Sequence, residues 1–546
     1  MRGIHRRTYL LGVYGFALAS VFTTRALKWY AVAEGFAVLS FIFGLVLWWA
    51  FRERRDRLIG VGSLLGVFGL LLKGLFVLLG IGEGVHDPVT HSVSAGNPLL
   101  EHIHHLFFNL GFLFFPINAA LRLIPMKKSS LLVLAFLLFP LGVDAAPTAL
   151  SPSTQKAAAP DLAINSRGEI AALWVDRSPQ EQAGAGQDRH LAITDVYVAI
   201  SRDGGESFDT PVKLNSTAGV VWGQQVSRPR ISGTPNGTWH VSYAANDEHP
   251  VLKKTALTTH YTRSLDGGKS FESPRRLSSL TDQDMSSVIH GGFVSAAAFG
   301  TMTTAPDGSV HVFWIDTRHM NPDSNSGALY GTTSTDDGTT FGAEKQIIDT
   351  GVCPCCQLMA VANSRSDVFV GSRKVTPDNI RPSTVMRLAK KNSTPATRVE
   401  IGGAPWQISG CPLKPTVLAV HGKQVFAAAH NGGEAKPGVI FSVSDDNGRS
   451  FHSQGLIHPD AAVSDAPAIA TNGKNVLVAW HAKLDGPRRV FYRIFDLKGA
   501  PQTPIREVDA PPGNAQSPVV VAGADGKYRI AWQQSDRIWM TSVDPI

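Results

Sequence analysis

Two hydropathy patterns divide the chain. Up to residue 145 the apolar positions come in long, nearly uninterrupted runs. From residue 147 onward they alternate with polar positions over short stretches broken by Gly, Asn, Asp and Pro. Long runs are the pattern of spanning helices, and short alternating stretches that of half-buried strands. Four apolar segments lie at 9–24, 29–51, 58–82 and 103–124. The longer three approach the roughly 20 residues a membrane-spanning helix needs. A fifth run, from Leu131 to Val143, has the length of a signal-peptide core. The pattern predicts a four-helix transmembrane domain over 1–125, a fifth anchor or internal signal-like segment over 126–146, and an all-β domain over 147–546.

Charge orients this membrane block. Arg2, Arg6 and Arg7 precede the first run, FRERRDR occupies 51–57, and Lys127 and Lys128 precede the fifth run. Basic loops stay on the cytoplasmic side. The loop at 83–102 carries Glu83, Asp87 and Glu101 with no Lys or Arg, which suits the outer side. Five spans with the N-terminus inside place everything after residue 146 outside a bacterial-type cytoplasmic membrane, on its periplasmic or extracellular face. The fifth run has other readings. Val143 and Ala145 suit signal cleavage after Ala145, and Met126 is also a candidate start of a separate reading frame. Each reading leaves the β domain outside.

Polar residues within this block are candidate chemistry. Glu34 and Lys73 lie inside the second and third runs. They read as a relay or ligand site, or, more simply, as an ion pair between helices or a snorkelling lysine. His86, His91, His102, His104 and His105 cluster near the outer face. Imidazole is a common metal ligand, and copper, zinc or haem would suit. No HExxH spacing is present, and the plainer reading is interfacial polar residues. The formal net charge of +7 is spread in short clusters beside apolar runs, without a basic stripe carrying aromatics. Nucleic acid is therefore not an expected partner.

The region after 146 contains a repeated octapeptide, S-x-D-x-G-x-x-F. It reads SRDGGESF at 201–208, SLDGGKSF at 264–271, STDDGTTF at 334–341 and SDDNGRSF at 444–451. Its fixed positions are Ser201, Asp203, Gly205 and Phe208; Ser264, Asp266, Gly268 and Phe271; Ser334, Asp336, Gly338 and Phe341; and Ser444, Asp446, Gly448 and Phe451. Ser and Asp side chains hold tight turns by bonding nearby amides, and Gly supplies positive φ. The flanking segments DVYVAI and GVIFSV read as strands. A larger unit surrounds the octapeptide. Units begin near Asp161, Arg228, Thr301, Gln357, Pro415, Pro467 and Ser517. Turns such as PNGT, PDGS and ADGK mark them, with aromatics at Trp174, Tyr243, Trp314, Phe426, Trp480 and Trp532. The period suits four-stranded propeller blades.

The octapeptide resembles the Asp-box, or bacterial neuraminidase repeat, of the sialidase superfamily, over roughly residues 150–546. That resemblance implies a β-propeller with the boxes on the blade periphery, away from any catalytic face, and structural roles for the box residues. Seven units can be counted. The last lacks a clear fourth strand, which a segment just after residue 146 would supply. Family sialidases have six blades, so six is also open if the two ends share one.

The family's activity is a separate matter. Its members clamp a substrate carboxylate with three arginines and use a Tyr nucleophile assisted by Glu, with an Asp acid/base. No Phe/Tyr-Arg-Ile-Pro motif occurs here; SRPRIS at 227–232, with Arg230, is the nearest stretch. No matching Tyr–Glu pair can be placed. Asp176 and Arg177 follow Trp174, Asp316 and Arg318 follow Trp314, and Asp536 and Arg537 lie in the last unit. These are weak catalytic candidates, against a plainer role as ion pairs between blades.

The chain has four cysteines: Cys353, Cys355 and Cys356 in VCPCCQ, and Cys411 in GCPLKP. Both segments lead into the first strand of adjacent units, which would gather the sulfurs at one rim of the channel. Outside the cytoplasm disulfides are the favoured reading, with Cys411 stapling two blades. The competing reading is a thiolate site for copper(I), zinc or an iron–sulfur cluster. The preferred functional expectation is a membrane-tethered binding or scaffold module, with copper or another metal as a candidate ligand of these cysteines and the outer-face histidines, and a glycan or protein as a candidate ligand at the propeller mouth. The alternative is an exo-glycosidase acting on sialic-acid-like glycans.

Overall fold

A computed structural model describes residues 147–179, 193–287, 292–321, 326–388, 398–461 and 463–546. The membrane block expected over 1–146, with Glu34, Lys73 and the five histidines, lies outside the described residues. Among the described residues, no helix is long and apolar enough to cross a membrane.

The alternating segments form seven four-stranded antiparallel sheets, each a blade. Blade 1 contains strands Ala157–Ile164, Ile170–Asp176, Asp195–Ser201 and Val212–Lys213. Blades 2 to 6 span residues 230–276, 297–352, 359–401, 416–456 and 463–507. Blade 7 takes three strands from 516–543 and its outermost strand from Thr148–Ala149. Thr148 pairs with Met540 and Ala149 with Trp539. The ring therefore has seven blades, not six. The segment after residue 146 supplies the missing strand, which leaves no open blade to extend.

The core is a set of blade-to-blade contacts, because each blade is apolar on both faces. Trp174, Trp314, Trp480 and Trp532 sit on second strands and are fully buried. Trp239 and Val241 of blade 2 pack on Val196 and Val198 of blade 1. Ile530 and Trp532 of blade 7 pack on Leu477 and Tyr492 of blade 6. Met540 of blade 7 packs against Trp174 of blade 1 and closes the circle. Burying such an aromatic side chain is worth roughly 1.5–3 kcal/mol.

The boxes follow the third strands of blades 1, 2, 3 and 5. In blade 2, Ser264 Oγ donates to Asp266 Oδ1 at 2.8 Å, and the Gly268 and Ser270 amides donate to Ser264 Oγ and Asp266 Oδ1 at 2.8 and 3.0 Å. The same bonds recur at Ser201–Asp203, Ser334–Asp336 and Ser444–Asp446. Hydrogen bonds from Ser270 hold the Asp266 carboxyl down at about 2.

Each box also docks on the preceding blade. A methyl group on Gly268, whose φ is +89°, would lie 2.4 Å from Ile200 of blade 1. Arg202 of blade 1 donates to the Gly267 carbonyl at 2.9 Å, and Arg529 of blade 7 to that of Gly204 at 2.8 Å. Arg263 of blade 2 donates to the Asp337 carbonyl at 2.6 Å. Asn447 of the blade 5 box bonds Asn363 and Asp367 of blade 4 at 3.1 Å each. The boxes are thus blade-to-blade clasps as well as turns.

Candidate functional site

The Asp and Arg residues singled out in the sequence fall into ion pairs and turns. Asp176 is buried, and its Oδ1 accepts from the Lys156 and Ser178 amides at 2.9 Å each. Arg177 of blade 1 pairs with Asp536 of blade 7. Arg537 donates to the Ser151 carbonyl at 2.9 Å. Asp316 and Glu344 both hold Arg318, at 2.6 and 2.7 Å, and its guanidinium lies 4.5 Å from the Tyr330 ring centre.

Arg230 faces the ring interior. Its Nε is 3.4 Å from Asp161 of blade 1. Burial pushes the Asp161 carboxyl up and the Arg228 guanidinium down to about 10. These three groups share one side of a central cavity whose other walls include Val417, Ile469 and Val519. Among the described residues, no Tyr or Glu lines that cavity.

The cysteines converge elsewhere, where blades 3, 4 and 5 meet. Cys353 follows the outer strand of blade 3, and its amide donates to the Arg373 carbonyl of blade 4 at 2.8 Å. Cys355 and Cys356 lie in the link to the first strand of blade 4, and Cys411 in the link from blade 4 to blade 5. Cys355 and Cys411 form a disulfide that closes a 56-residue separation around blade 4. Cys353 and Cys356 are free, buried, and 2.9 Å apart at sulfur. The sulfurs of Cys353, Cys355 and Cys411 all lie within 4.8 Å of one another. The inner pair is thus enclosed by protein, and the bridge close to it is half-buried.

Sequence reasoning missed two features of this junction. The first is the spacing Cys353-x-x-Cys356, overlooked because Cys355 interrupts it. The second is a pair of arginines, Arg373 and Arg381, 2% and 0% exposed. Arg381 precedes Pro382, which keeps its backbone extended. Its Nη1 donates to Cys353 Sγ at 3.4 Å. Arg373 donates to the Arg381 and His430 carbonyls at 2.6 and 2.8 Å, and its guanidinium lies 5.2 Å from the Trp406 ring centre. No local motif marks either residue; Arg373 ends the second strand of blade 4, and Arg381 lies in the connection to the third.

The electrostatics follow. The hydrogen bond from Cys356, with Arg381 beside it, lowers the Cys353 thiol, whereas burial raises that of Cys356. Burial also lowers the neighbouring His430. Asp465 approaches the same junction, paired with Lys414 and 4.0 Å from both His430 and His481. As a donor set, four sulfurs suit a soft metal, but two of them are tied in the bridge. Only the reduced junction offers them all.

The chain matches no described protein family and no curated protein by sequence. Solved structures similar to it include sialidases and a polysaccharide lyase. A protein of unknown function from Dyadobacter fermentans is 15% identical, over 64% of this chain and 98% of that one, with a TM-score of 0.46. The NanB sialidase from Streptococcus pneumoniae is 10% identical, over 72% and 70%, with a TM-score of 0.40. An ulvan lyase is 14% identical, over 71% and 94%, with a TM-score of 0.44. At these identities the likeness concerns the fold alone. The class that the residues themselves define is an Asp-box β-propeller of seven blades, carrying a thiol–disulfide junction.

Proposed function

We propose that the propeller is a membrane-tethered binding module outside the cytoplasm, with the cysteine junction as its chemical site. In the oxidised state the Cys355–Cys411 bridge closes the junction. A thiol reductant delivers two electrons and two protons to that bridge and is itself oxidised to a disulfide. The four thiols then take a soft ion, copper(I) before zinc. The observation that carries this reading is the convergence of three sulfurs within 4.8 Å, with the fourth 2.9 Å from Cys353. The basic clusters of the first 128 residues support a location outside the cytoplasm, as does a disulfide in the fold. Hydrolysis of sialic-acid-like glycans has less support, because the central cavity is lined by Asp161, Arg228 and Arg230 without a Tyr or Glu among the described residues.

The test uses the full-length chain, handled without oxygen. Thiols are counted after denaturation, and copper(I) is titrated against a competing chelator. The reading expects two thiols as folded, four after reduction, and one copper(I) per chain in the reduced form only. A reduced chain that holds no copper(I) and no zinc makes the cluster a structural staple and sinks the reading.

A further inference from the structure

Between blades 4 and 5, beside the cysteines, lies a cavity of about 250 Å³. Arg373, Arg381, Trp406, His430 and Ser383 are among its lining residues, with Ile401 and Ile440 on the apolar side. We propose that this cavity binds a small oxyanion, held by the guanidinium groups of Arg381 and Arg373.

A buried guanidinium needs a partner, since an uncompensated buried charge costs several kcal/mol. Three other buried or half-buried arginines obey the rule, whereas Arg228 is held by the Pro160 carbonyl without an ion pair. Arg263 has Glu272, Arg318 has Asp316 and Glu344, and Arg529 has Asp525. Among the described residues, no carboxylate lies within ion-pair distance of Arg373 or Arg381, although both are almost completely buried. Asp465 is committed to Lys414.

The donors point the same way. Nε and Nη2 of Arg381 and Nε of Arg373 are buried without a hydrogen-bond partner. The other nitrogens are fixed. Arg373 is anchored to two backbone carbonyls and Trp406, and Arg381 to Cys353. The forks are therefore held in place with donors to spare, as bidentate recognition of a sulfate, phosphate or carboxylate group requires. The cavity is smaller than the usual pocket for a drug-sized molecule. It suits an inorganic ion, or an oxyanion group on a short organic body lying against Ile401, Ile440 and Trp406.

This inference does not depend on metal binding, and its test reads no thiol. The full-length chain is titrated calorimetrically with sulfate, phosphate and acetate at constant ionic strength. One site per chain is expected for at least one of them. Sulfate and phosphate binding without acetate assigns a tetrahedral ligand, and acetate binding a carboxylate. Thermal unfolding in the same ions is the second measurement, because a ligand of the native state raises Tm. The variant R381M replaces the charge with an apolar side chain of similar length, and it should weaken binding at least tenfold. Ions also stabilise proteins through surface exclusion. Equal Tm gains in wild type and R381M would therefore overturn the proposal. So would heats no larger than dilution for all three ions, whether or not the variant folds.

Discussion

The Asp-box turns and the junction around blade 4 treat polarity in opposite ways. In the box-bearing blades, every box Asp and Ser is bonded within its turn, and each box is clasped by a neighbouring blade. Around blade 4 the polarity is left open. Two arginines are buried without a carboxylate, two thiols sit close to a bridge, and three guanidinium nitrogens lack partners. A satisfied network builds a scaffold, whereas an unsatisfied one reserves its bonds for something else. The first sector is what makes the ring, and the second is where chemistry should be sought.

The largest expected effect tests whether the open sector also holds the ring together. Replacing both Cys355 and Cys411 by Ser removes a cross-link over 56 residues. Loop-closure entropy alone makes that worth about 4 kcal/mol. A fall in stability well under about 1 kcal/mol in urea unfolding would leave the bridge a purely chemical role. In the clasped sector, Gly268→Ala forces a methyl group towards Ile200 at a positive φ. Strain and overpacking together predict a loss of about 2–4 kcal/mol. A near-neutral result would show that the box does not bear on blade 1.

One substitution sharpens the comparison directly. Arg263→Met removes bonds to Glu272, Thr339 and the Asp337 carbonyl, and should cost about 1–3 kcal/mol. Arg381→Met removes a buried charge that has the Cys353 sulfur beside it but no carboxylate. In the absence of an anion it should be neutral or slightly stabilising. Equal losses from the two would erase the distinction between sectors. The smallest effect is the pH response of the boxes. The Asp266 carboxyl is depressed to about 2 in the folded chain. Its contribution is complete above the unfolded carboxylate value near 4 and is lost as pH falls through about 2. Thermal unfolding between pH 5 and pH 2 should therefore slope less in Asp266→Asn than in wild type.

The legibility of these sectors in the sequence follows the same division. The boxes could be read because a turn fixes residue types locally: Asp and Ser must bond amides a few residues on, and Gly must take positive φ. Seven units could be counted from the spacing of turns such as PNGT and ADGK, and the closing strand from the short last unit, but the choice between six and seven blades needed the strand pairing. The cysteines could be placed because both segments lead into neighbouring inner strands. Arg373 and Arg381 could not be found in this way. Their significance is a matter of what is missing around them, and a linear pattern does not show an absent carboxylate. The inner thiol pair was hidden for a different reason, since Cys355 stands inside its spacing and belongs to another bond.

The pairing of Thr148 and Ala149 with the last strand has a consequence in time. Blades 1 to 6 are each built from consecutive hairpins and can assemble as the chain leaves the ribosome. Blade 7 cannot, because its outermost strand is made first and its other three last. Completion of the ring is the most non-local step in its assembly, and such steps are slow. Until it occurs, the edge offered by Arg537–Val543 is open to the 148–149 segment of any copy of the chain. Capture of its own segment gives a monomeric ring, and capture of a neighbour's gives a swapped dimer.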